Sequence, residues 1–240
     1  MTAPGEKAAH ESWLRCEEWA TFPGLVHGFS RRLSDRDAAL SALGAEGMAV
    51  HTFKQVHGVA TTIVTHHPLP PEKPEADGAI TTTPGVLLGI ATADCVPVLI
   101  VAPARRLAAA VHAGWRGTLH GIAPKTVQQV IDSWEVLATD IWVALGPSIG
   151  GCCYEVGSEV GEPIRQQWRI TDTAVWRPVG AKGFLDLRAV NTLQLTQIGV
   201  PLAQIRQVGP CTFCDSTFAS YRREGMRASR QLSVIGWRES

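Results

Sequence analysis

Three residues that commonly bind metal ions stand close to glycine or proline, where predicted strands end. They are His57 in FKQVHG, Cys95 in TADCVPVL and His112 in AAVHAGWRG. One thiolate and two imidazoles suit zinc, and three protein ligands leave the fourth tetrahedral position for water or substrate. The residues therefore predict a catalytic zinc site. Copper is less favoured, although it accepts the same ligand types.

The same three residues have simpler interpretations, because their spacing is too wide for a local zinc finger. Cys95 could pack as a buried thiol, with both histidines hydrogen-bonded in loops. Without a metal, Cys95 could instead be a nucleophile with His112 as its base. A third hypothesis is a zinc-stabilised binding module without turnover. The polar, glycine-rich surroundings that the three residues share favour the catalytic metal site.

The elements that must position these residues are strands and helices in mixed order. The hydrophobic patterns predict two buried strands within 79–103, of which the second restarts at Val96–Val101, and further strands at Leu107–Val111, Ile141–Leu145 and QLSVIGW. A glycine loop through Gly114 and Gly117 follows the strand at Leu107–Val111. Helical spacing is found at Val127 to Trp134, at Val156–Ile164 and from Leu187 to Leu195. Four prolines in HHPLPPEKPEADG, residues 66–78, predict a stiff surface connection. No strict βαβ rhythm appears, so we predict an α+β fold in which helices flank mixed sheets, as one domain over residues 1–240.

Composition and charge exclude several classes of protein. Hydrophobic residues make up 45% and charged residues 18% of the 240, as in ordinary globular proteins. Basic and acidic residues both number 22, so no net field attracts a polyanion, and we expect no nucleic-acid partner. We also expect no signal peptide and no membrane span, and six reduced cysteines. These features predict a cytoplasmic protein that acts on a small molecule, with a monomer favoured.

Several segments together resemble a known family. They occur in the order KQVHG, ADGAITTTPGVLLGIATADCVPVLI, AAVHAGWRGTLHGI, GPSIGGCCYEVG, LDLRAVN and SYRREG. From about Phe53 to the C-terminus the chain resembles the YfiH/laccase-domain family, also called multicopper polyphenol oxidoreductase-like. The resemblance implies a YfiH-like fold with zinc bound by His57, Cys95 and His112.

The resemblance also implies an activity. It points to a purine nucleoside phosphorylase that converts adenosine, inosine or methylthioadenosine, with phosphate, into free base and a pentose 1-phosphate. Adenosine deaminase activity is also known in such proteins, and some relatives are assigned to peptidoglycan editing on a muramyl precursor. Multicopper oxidation is disfavoured, because the eight histidines include no His-x-His pair. In HGFSRRLSDRD, Arg31 stands where relatives carry a glycine-rich turn, which leaves the choice of substrate open.

Further residues are candidates around the metal. Arg116 and Lys54 could bind phosphate or the ribose hydroxyls, since cations must offset phosphate charge. Asp94 and Asp77 could orient a zinc-bound histidine or act as acid and base, and Asp94 is preferred because Asp77-Gly78 is typical of a turn. Trp115 could stack on a base.

The remaining motifs are weaker. Adjacent Cys152 and Cys153 are interpreted as packing thiols near the pocket, and Cys211 with Cys214 as a lone CxxC of undetermined role. Arg222 and Arg223 are interpreted as solvated residues rather than an anion site. His120 lies near HAGWRG and could reach substrate.

Overall fold

A computed structural model describes residues 13–33, 35–65 and 72–239. Strands and helices alternate irregularly along the chain. The strands are β1 Trp13–Leu14, β2 Leu25–Ser30, β3 Ala49–Thr52, β4 Thr61–Val64, β5 Gly78–Thr81, β6 Val86–Thr92, β7 Val96–Ala102, β8 Leu107–Ala113, β9 Trp142–Leu145, β10 Glu155–Gly157, β11 Trp176–Val179, β12 Lys182–Leu185, β13 Ile205–Gln207 and β14 Gln231–Trp237. The α-helices are α1 Arg36–Leu43, α2 Trp115–Leu119, α3 Ile122–Trp134, α4 Ser158–Gln167, α5 Leu187–Gln197 and α6 Tyr221–Glu224. Short 3-10 helices lie at Glu17–Thr21, Pro103–Arg105, Ala138–Asp140, Leu202–Gln204 and Gly225–Arg227.

The described strands form three sheets. The largest has the order β13-β9-β7-β8-β5-β4, a second has the order β1-β2-β14-β6-β3, and a small third sheet has the order β10-β12-β11. Most neighbouring strands are antiparallel, whereas β3 with β6, β4 with β5 and β13 with β9 run parallel. The prediction of an α+β fold with mixed sheets and flanking helices is confirmed.

The six-stranded sheet is buried on both faces. Along β8, Leu107, Ala109 and Val111 belong to the core shared with α3 and α5, whereas Ala108 and Ala110 face the five-stranded sheet. Alternate residues of a strand point to opposite faces, so a strand covered on both sides needs apolar residues throughout. This explains the continuous apolar runs in the sequence.

Several local predictions were wrong. Residues 79–103 contribute three strands rather than two, because Gly78–Thr81 forms β5 before the Pro84-Gly85 turn. The predicted glycine loop after β8 contains the short helix α2. The predicted surface connection at 66–78 lies outside the described residues from 66 to 71. Its last residues turn inward, since Ala76 and Asp77 are buried.

Candidate metal centre

The pairing of β7 with β8 brings two of the three predicted ligands together. Cys95 immediately precedes β7, and His112 is the penultimate residue of β8. The two strands are antiparallel, with Val96 opposite Ala113 and Pro97 opposite His112. This register therefore places the Cys95 thiol beside the His112 ring at one end of the six-stranded sheet.

His57 comes from the loop between β3 and β4. Its backbone adopts the left-handed region, with φ of 62°, which is uncommon for a residue with a side chain. The His57 and His112 rings meet edge to face, with centroids 4.7 Å apart. Ligand atoms of His57, Cys95 and His112 all lie within 4.8 Å of one another, a spacing that one tetrahedral metal ion spans.

The Asp77 carboxylate positions both histidines through hydrogen bonds. Its carboxylate is fully buried, and Oδ1 lies 2.8 Å from His112 Nδ1. The same carboxylate accepts backbone N–H bonds from Val56, His57 and Gly58 at 3.2, 2.9 and 2.6 Å. These bonds hold the His57 turn in its left-handed conformation. Because Nδ1 of His112 is engaged with Asp77, Nε2 is the ring nitrogen left for a metal.

The local electrostatics favour a thiolate. Burial raises the pKa of the Cys95 thiol, but hydrogen bonds from His112 and His57 outweigh this and lower the pKa to about 6. Burial lowers the pKa of His112, yet Asp77 and the Cys95 sulfur raise it to about 9. Without a metal, the site therefore holds a thiolate beside an imidazolium at neutral pH. A cation bound to the three ligands would displace the imidazolium proton.

Gly114 allows the ligands to approach closely. A Cβ atom at this position would lie 3.1 Å from Cys95 Sγ and 3.2 Å from His57 Cδ2. Any larger residue would push the thiol and the ring apart. The glycine of HAGWRG is therefore part of the geometry of the site.

The three ligands open onto a cleft of about 680 Å³, within the range of small-molecule pockets. Its lining comprises Gln55, His57, Ala91, Thr92, Ala93, Asp94, Cys95, His112, Trp115, Arg116, Ile149, Tyr154, Leu187, Tyr221, Arg222 and Arg230. The arginines and the aromatic rings together offer groups for an anion and for a flat ring. Burial, together with the nearby Cys95 sulfur, raises the pKa of Tyr154 to about 12, so its hydroxyl keeps its proton.

The structure places the remaining sequence candidates at varied distances from the ligands. The Arg116 guanidinium lies in the cleft above the Trp115 ring, 4.3 Å from its centroid. Lys54 does not line the cleft, because its ammonium group pairs with Glu75 at 2.7 Å on the surface. His120 is exposed and is also absent from the lining.

The contacts reverse the expected ranking of the two aspartates. Asp94, with φ of 83°, accepts bonds from Thr212 Oγ1 and from the Arg222 N–H, both at 2.7 Å, and from Ser220 Oγ at 3.1 Å. It thus anchors the segment that carries Arg222. Among the described residues, Asp77 rather than Asp94 bonds to a ligand histidine, so the preference for Asp94 in that role was wrong. The run of prolines before Asp77 hid its burial.

The two arginines that were interpreted as solvated residues have different surroundings, although Arg222 is exposed and Arg223 pairs with Glu224 at 2.8 Å. Arg222 lines the cleft, where it lies 5.4 Å from the Tyr154 ring centroid and donates to Glu155 O at 2.8 Å. Arg223 instead donates to the carbonyl oxygens of Thr212 and Phe213 and shapes the loop. Arg230, which carried no sequence motif, also lines the cleft. Arg31 lies over the Phe218 ring and contacts Asp215, outside the cleft lining.

Comparison with known proteins assigns the chain to a family. The family model described as multi-copper polyphenol oxidoreductase laccase matches residues 32–238. The chain belongs to this family. The match confirms the resemblance found in the sequence, since the family includes the YfiH-like proteins.

The laccase-like family includes relatives with named activities. The chain is 38% identical to the purine nucleoside phosphorylase slr1573 of Synechocystis, across 94% of both chains. It is 40% identical to the purine nucleoside phosphorylase YlmD of Geobacillus stearothermophilus, across 69% of this chain and 61% of that protein. It is 37% identical to adenosine deaminase RL5 of an unknown prokaryotic organism, across 66% of this chain and 61% of that protein. These relatives support an enzyme.

Solved structures agree with the laccase-like fold. The crystal structure of YlmD from Geobacillus stearothermophilus superposes with a TM-score of 0.86 at 32% identity, covering 95% of this chain and 97% of that one. The Bacillus licheniformis hypothetical protein YfiH superposes with a TM-score of 0.80 at 26% identity, covering 95% and 97%. No helix among the described residues is long and apolar enough to cross a membrane.

The family description does not match the ligand set. Among residues 13–33, 35–65 and 72–239, two groups of three or more His, Cys, Asp or Glu side chains converge, and only one of them contains histidine. Multicopper oxidation needs several copper ions held largely by histidine. One cysteine and two histidines fit a single ion, and they suit zinc.

Proposed function

We propose that the protein is a zinc-dependent purine nucleoside phosphorylase that uses adenosine, inosine or methylthioadenosine. The observation that carries the proposal is the opening of the His57, Cys95 and His112 group onto a cleft lined by Arg116, Arg222 and Arg230. The names of the relatives agree with this reaction. The cleft is large enough for a nucleoside beside a phosphate.

In phosphorolysis, a phosphate oxygen forms a bond to the ribose C1′ while the bond from C1′ to the purine nitrogen breaks. The base leaves with the electron pair and takes up a proton. Zinc held by His57, Cys95 and His112 would supply positive charge that stabilises anionic oxygens. We assign the arginines to the phosphate, because guanidinium groups bind phosphate oxygens through paired N–H donors.

The other cleft residues position the nucleoside. Trp115 and Tyr154 offer ring faces to the purine, and the protonated Tyr154 hydroxyl can donate to a ring nitrogen or a ribose oxygen. Asp94 was a candidate acid or base. We place it instead as a positioning residue, because both of its oxygens already accept bonds from the segment bearing Arg222. It would act by fixing that arginine in the cleft.

Adenosine deamination is a second candidate activity, favoured by the relative RL5 and by the same single-ion ligand set. Zinc held by His57, Cys95 and His112 would supply the Lewis acidity that hydrolytic attack on the purine C6 needs. A third candidate is a metal-free cysteine hydrolase, favoured by the thiolate and imidazolium pair of Cys95 and His112. Hydrolysis of a muramyl precursor remains the alternative when no purine product forms.

One experiment separates these candidates. Adenosine turnover is measured with and without phosphate, with products resolved by chromatography, and zinc content is measured in the same samples. The variants are Cys95→Ala and the control Cys16→Ala, whose thiol is buried in another part of the core. Phosphate-dependent adenine release, lost together with zinc in Cys95→Ala and kept in Cys16→Ala, supports the phosphorylase.

Other outcomes would move the proposal. Phosphate-independent inosine formation would indicate a deaminase instead. Bound zinc without any purine product would favour the muramyl-precursor hydrolase or a binding role. Active protein without metal would point to the cysteine nucleophile.

We also propose a cytoplasmic location and small-molecule partners only, because the six cysteines are free thiols and the chain has no net charge.

A further inference from the structure

A second group of metal-binding side chains lies beside the cleft, and it consists of cysteines alone. Cys152 and Cys153 belong to the loop after β9, and Cys211 and Cys214 belong to the loop after β13. Strands β9 and β13 are parallel neighbours, so both loops leave the sheet at the same edge. The pairing continues beyond the strands, because Thr212 N donates to Ser148 O at 3.0 Å.

The sulfur atoms have the spacing of a metal site. All four Sγ atoms lie within 4.8 Å of one another. The distance from Cys153 Sγ to Cys214 Sγ is 3.3 Å, and from Cys152 Sγ to Cys214 Sγ it is 3.8 Å. A tetrahedral zinc ion with bonds of about 2.3 Å separates its sulfur ligands by about 3.8 Å. A disulfide would need about 2.05 Å, and all four cysteines are free.

The backbone around the sulfurs is arranged for them. The Gly150 N–H donates to Cys211 Sγ at 3.2 Å, a bond that stabilises a thiolate. A Cβ atom on Gly150 would lie 3.3 Å from Cys152 Sγ and 3.4 Å from Cys211 Cβ. A side chain at this position would therefore intrude between the two cysteine pairs. The loop is built to let the pairs approach.

We propose that Cys152, Cys153, Cys211 and Cys214 form a second zinc site. Four thiolates are soft ligands that suit zinc, and a full set of four leaves no position for substrate. The site is therefore structural and differs in kind from the His57, Cys95 and His112 group. Two metal sites of different ligand chemistry would then stand in one chain.

The position of the four cysteines indicates what the second ion stabilises. The loop after β9 carries Ile149 and Tyr154, and the loop after β13 leads to Tyr221 and Arg222, all of which line the cleft. Thr212, between Cys211 and Cys214, donates to Asp94 beside the first site. The ion thus joins the two loops that form one wall of the cleft.

The test begins with metal content of the unmodified protein. Protein purified with a phosphine reductant is analysed for zinc and iron by mass spectrometry, and two zinc ions per chain are expected. Cys153→Ala/Cys214→Ala and Cys95→Ala should each bind one, whereas Cys16→Ala should bind two. One zinc in the unmodified protein, abolished by Cys95→Ala alone, would overturn the proposal, and so would iron in the second site.

Cobalt substitution gives a readout independent of activity. The intensity of the cobalt–thiolate charge-transfer band grows with the number of thiolates, four in the second site against one in the first. The Cys153→Ala/Cys214→Ala variant should therefore lose most of the band, and Cys95→Ala only a minor part. A Cys153–Cys214 disulfide, found by peptide mapping of the reduced preparation after thiol blocking, would refute the site. Because the count in the unmodified protein is decisive, a variant that fails to fold does not leave the proposal undecided.

Discussion

Replacing Asp77 by asparagine should weaken metal binding at the first site without altering any ligand. In the protein, Oδ1 accepts from the His57 N–H and bonds to His112 Nδ1, while Oδ2 accepts from the Val56 and Gly58 N–H groups. An asparagine amide keeps one oxygen and replaces the other with an NH2 group. In either orientation, that NH2 group faces donors that the carboxylate had satisfied.

The two orientations damage the site in different ways. If NH2 faces His112, Nδ1 must accept and the ring proton moves to Nε2, the nitrogen left for the metal. If NH2 faces Val56 and Gly58, their N–H groups lose their acceptor and the His57 turn loosens. Loss of a group that orients a ligand histidine costs about 10–100-fold in metal affinity. Two lost bonds to a charged group, at about 1.5 kcal/mol each, lower the free energy of unfolding by about 3 kcal/mol.

The assay is a competition titration of zinc between the protein and a fluorescent chelator, with chemical denaturation of the metal-free protein measured alongside. Proton release on zinc binding is a second readout, because it would not change in the variant if Asp77 had a purely structural role. At pH 8, the unmodified protein should release a proton from His112, whose pKa is raised to about 9, and Asp77→Asn should release less.

The matched control is Asp35→Asn. Asp35 caps α1 by accepting from the Asp37 and Ala38 N–H groups, both at 3.0 Å, and asparagine caps helices about as well. It should keep zinc affinity and stability. Unchanged zinc affinity and proton release in Asp77→Asn would refute the role assigned to this carboxylate.

Three further predictions follow from other contacts. Gly114→Ala should weaken zinc binding, by about 1–3 kcal/mol as for overpacking, because the new Cβ would crowd Cys95 Sγ at 3.1 Å; a titration with unchanged affinity would contradict this. Arg116→Ala should raise the KM for phosphate more than the KM for nucleoside. The control Arg177→Ala should not, because the Arg177 guanidinium lies over the Phe184 ring away from the cleft. Equal KM values for phosphate in the two variants would show that Arg116 does not bind phosphate. Burial lowers the pKa of His27 from 6.5 to about 4, so between these pH values the residue is protonated in the unfolded chain and neutral in the folded protein. The free energy of unfolding should therefore fall by about 3 kcal/mol as the pH is lowered from 6.5 to 4. His27→Gln should lose that part of the pH dependence in urea denaturation, and an unchanged profile would show that His27 is not its source.

The sequence predicted best where local pattern and tertiary contact coincide. Strands β7 and β8 are apolar runs with a metal-binding residue at one end, because Cys95 immediately precedes β7 and His112 is the penultimate residue of β8. Their convergence could therefore be anticipated from the ends of neighbouring strands. The last strand, Gln231–Trp237, and the helices Ile122–Trp134 and Leu187–Gln197 were predicted for the same reason.

What the sequence could not predict depends on pairing between distant segments. The approach of Cys152 and Cys153 to Cys211 and Cys214 follows from the parallel pairing of β9 with the three-residue strand β13, which has no pattern of its own. Taken alone, the adjacent pair Cys152 and Cys153 and the CxxC pair Cys211 and Cys214 are each a weak motif. Asp77 was similarly obscured, because the hydrogen bond that defines its role joins it to a residue 35 positions away.

The unequal burial of the three ligands sets the order in which a metal would leave. His112 is 3% exposed and Cys95 is half-buried, while His57 stands on the surface in a strained turn. The bond to His57 would therefore break first, and a chelator approaching from solvent would bind the ion while Cys95 and His112 still hold it. Release then depends on opening one turn rather than on separating two strands. Exchange of the metal can accordingly be fast in a protein whose sheet stays intact.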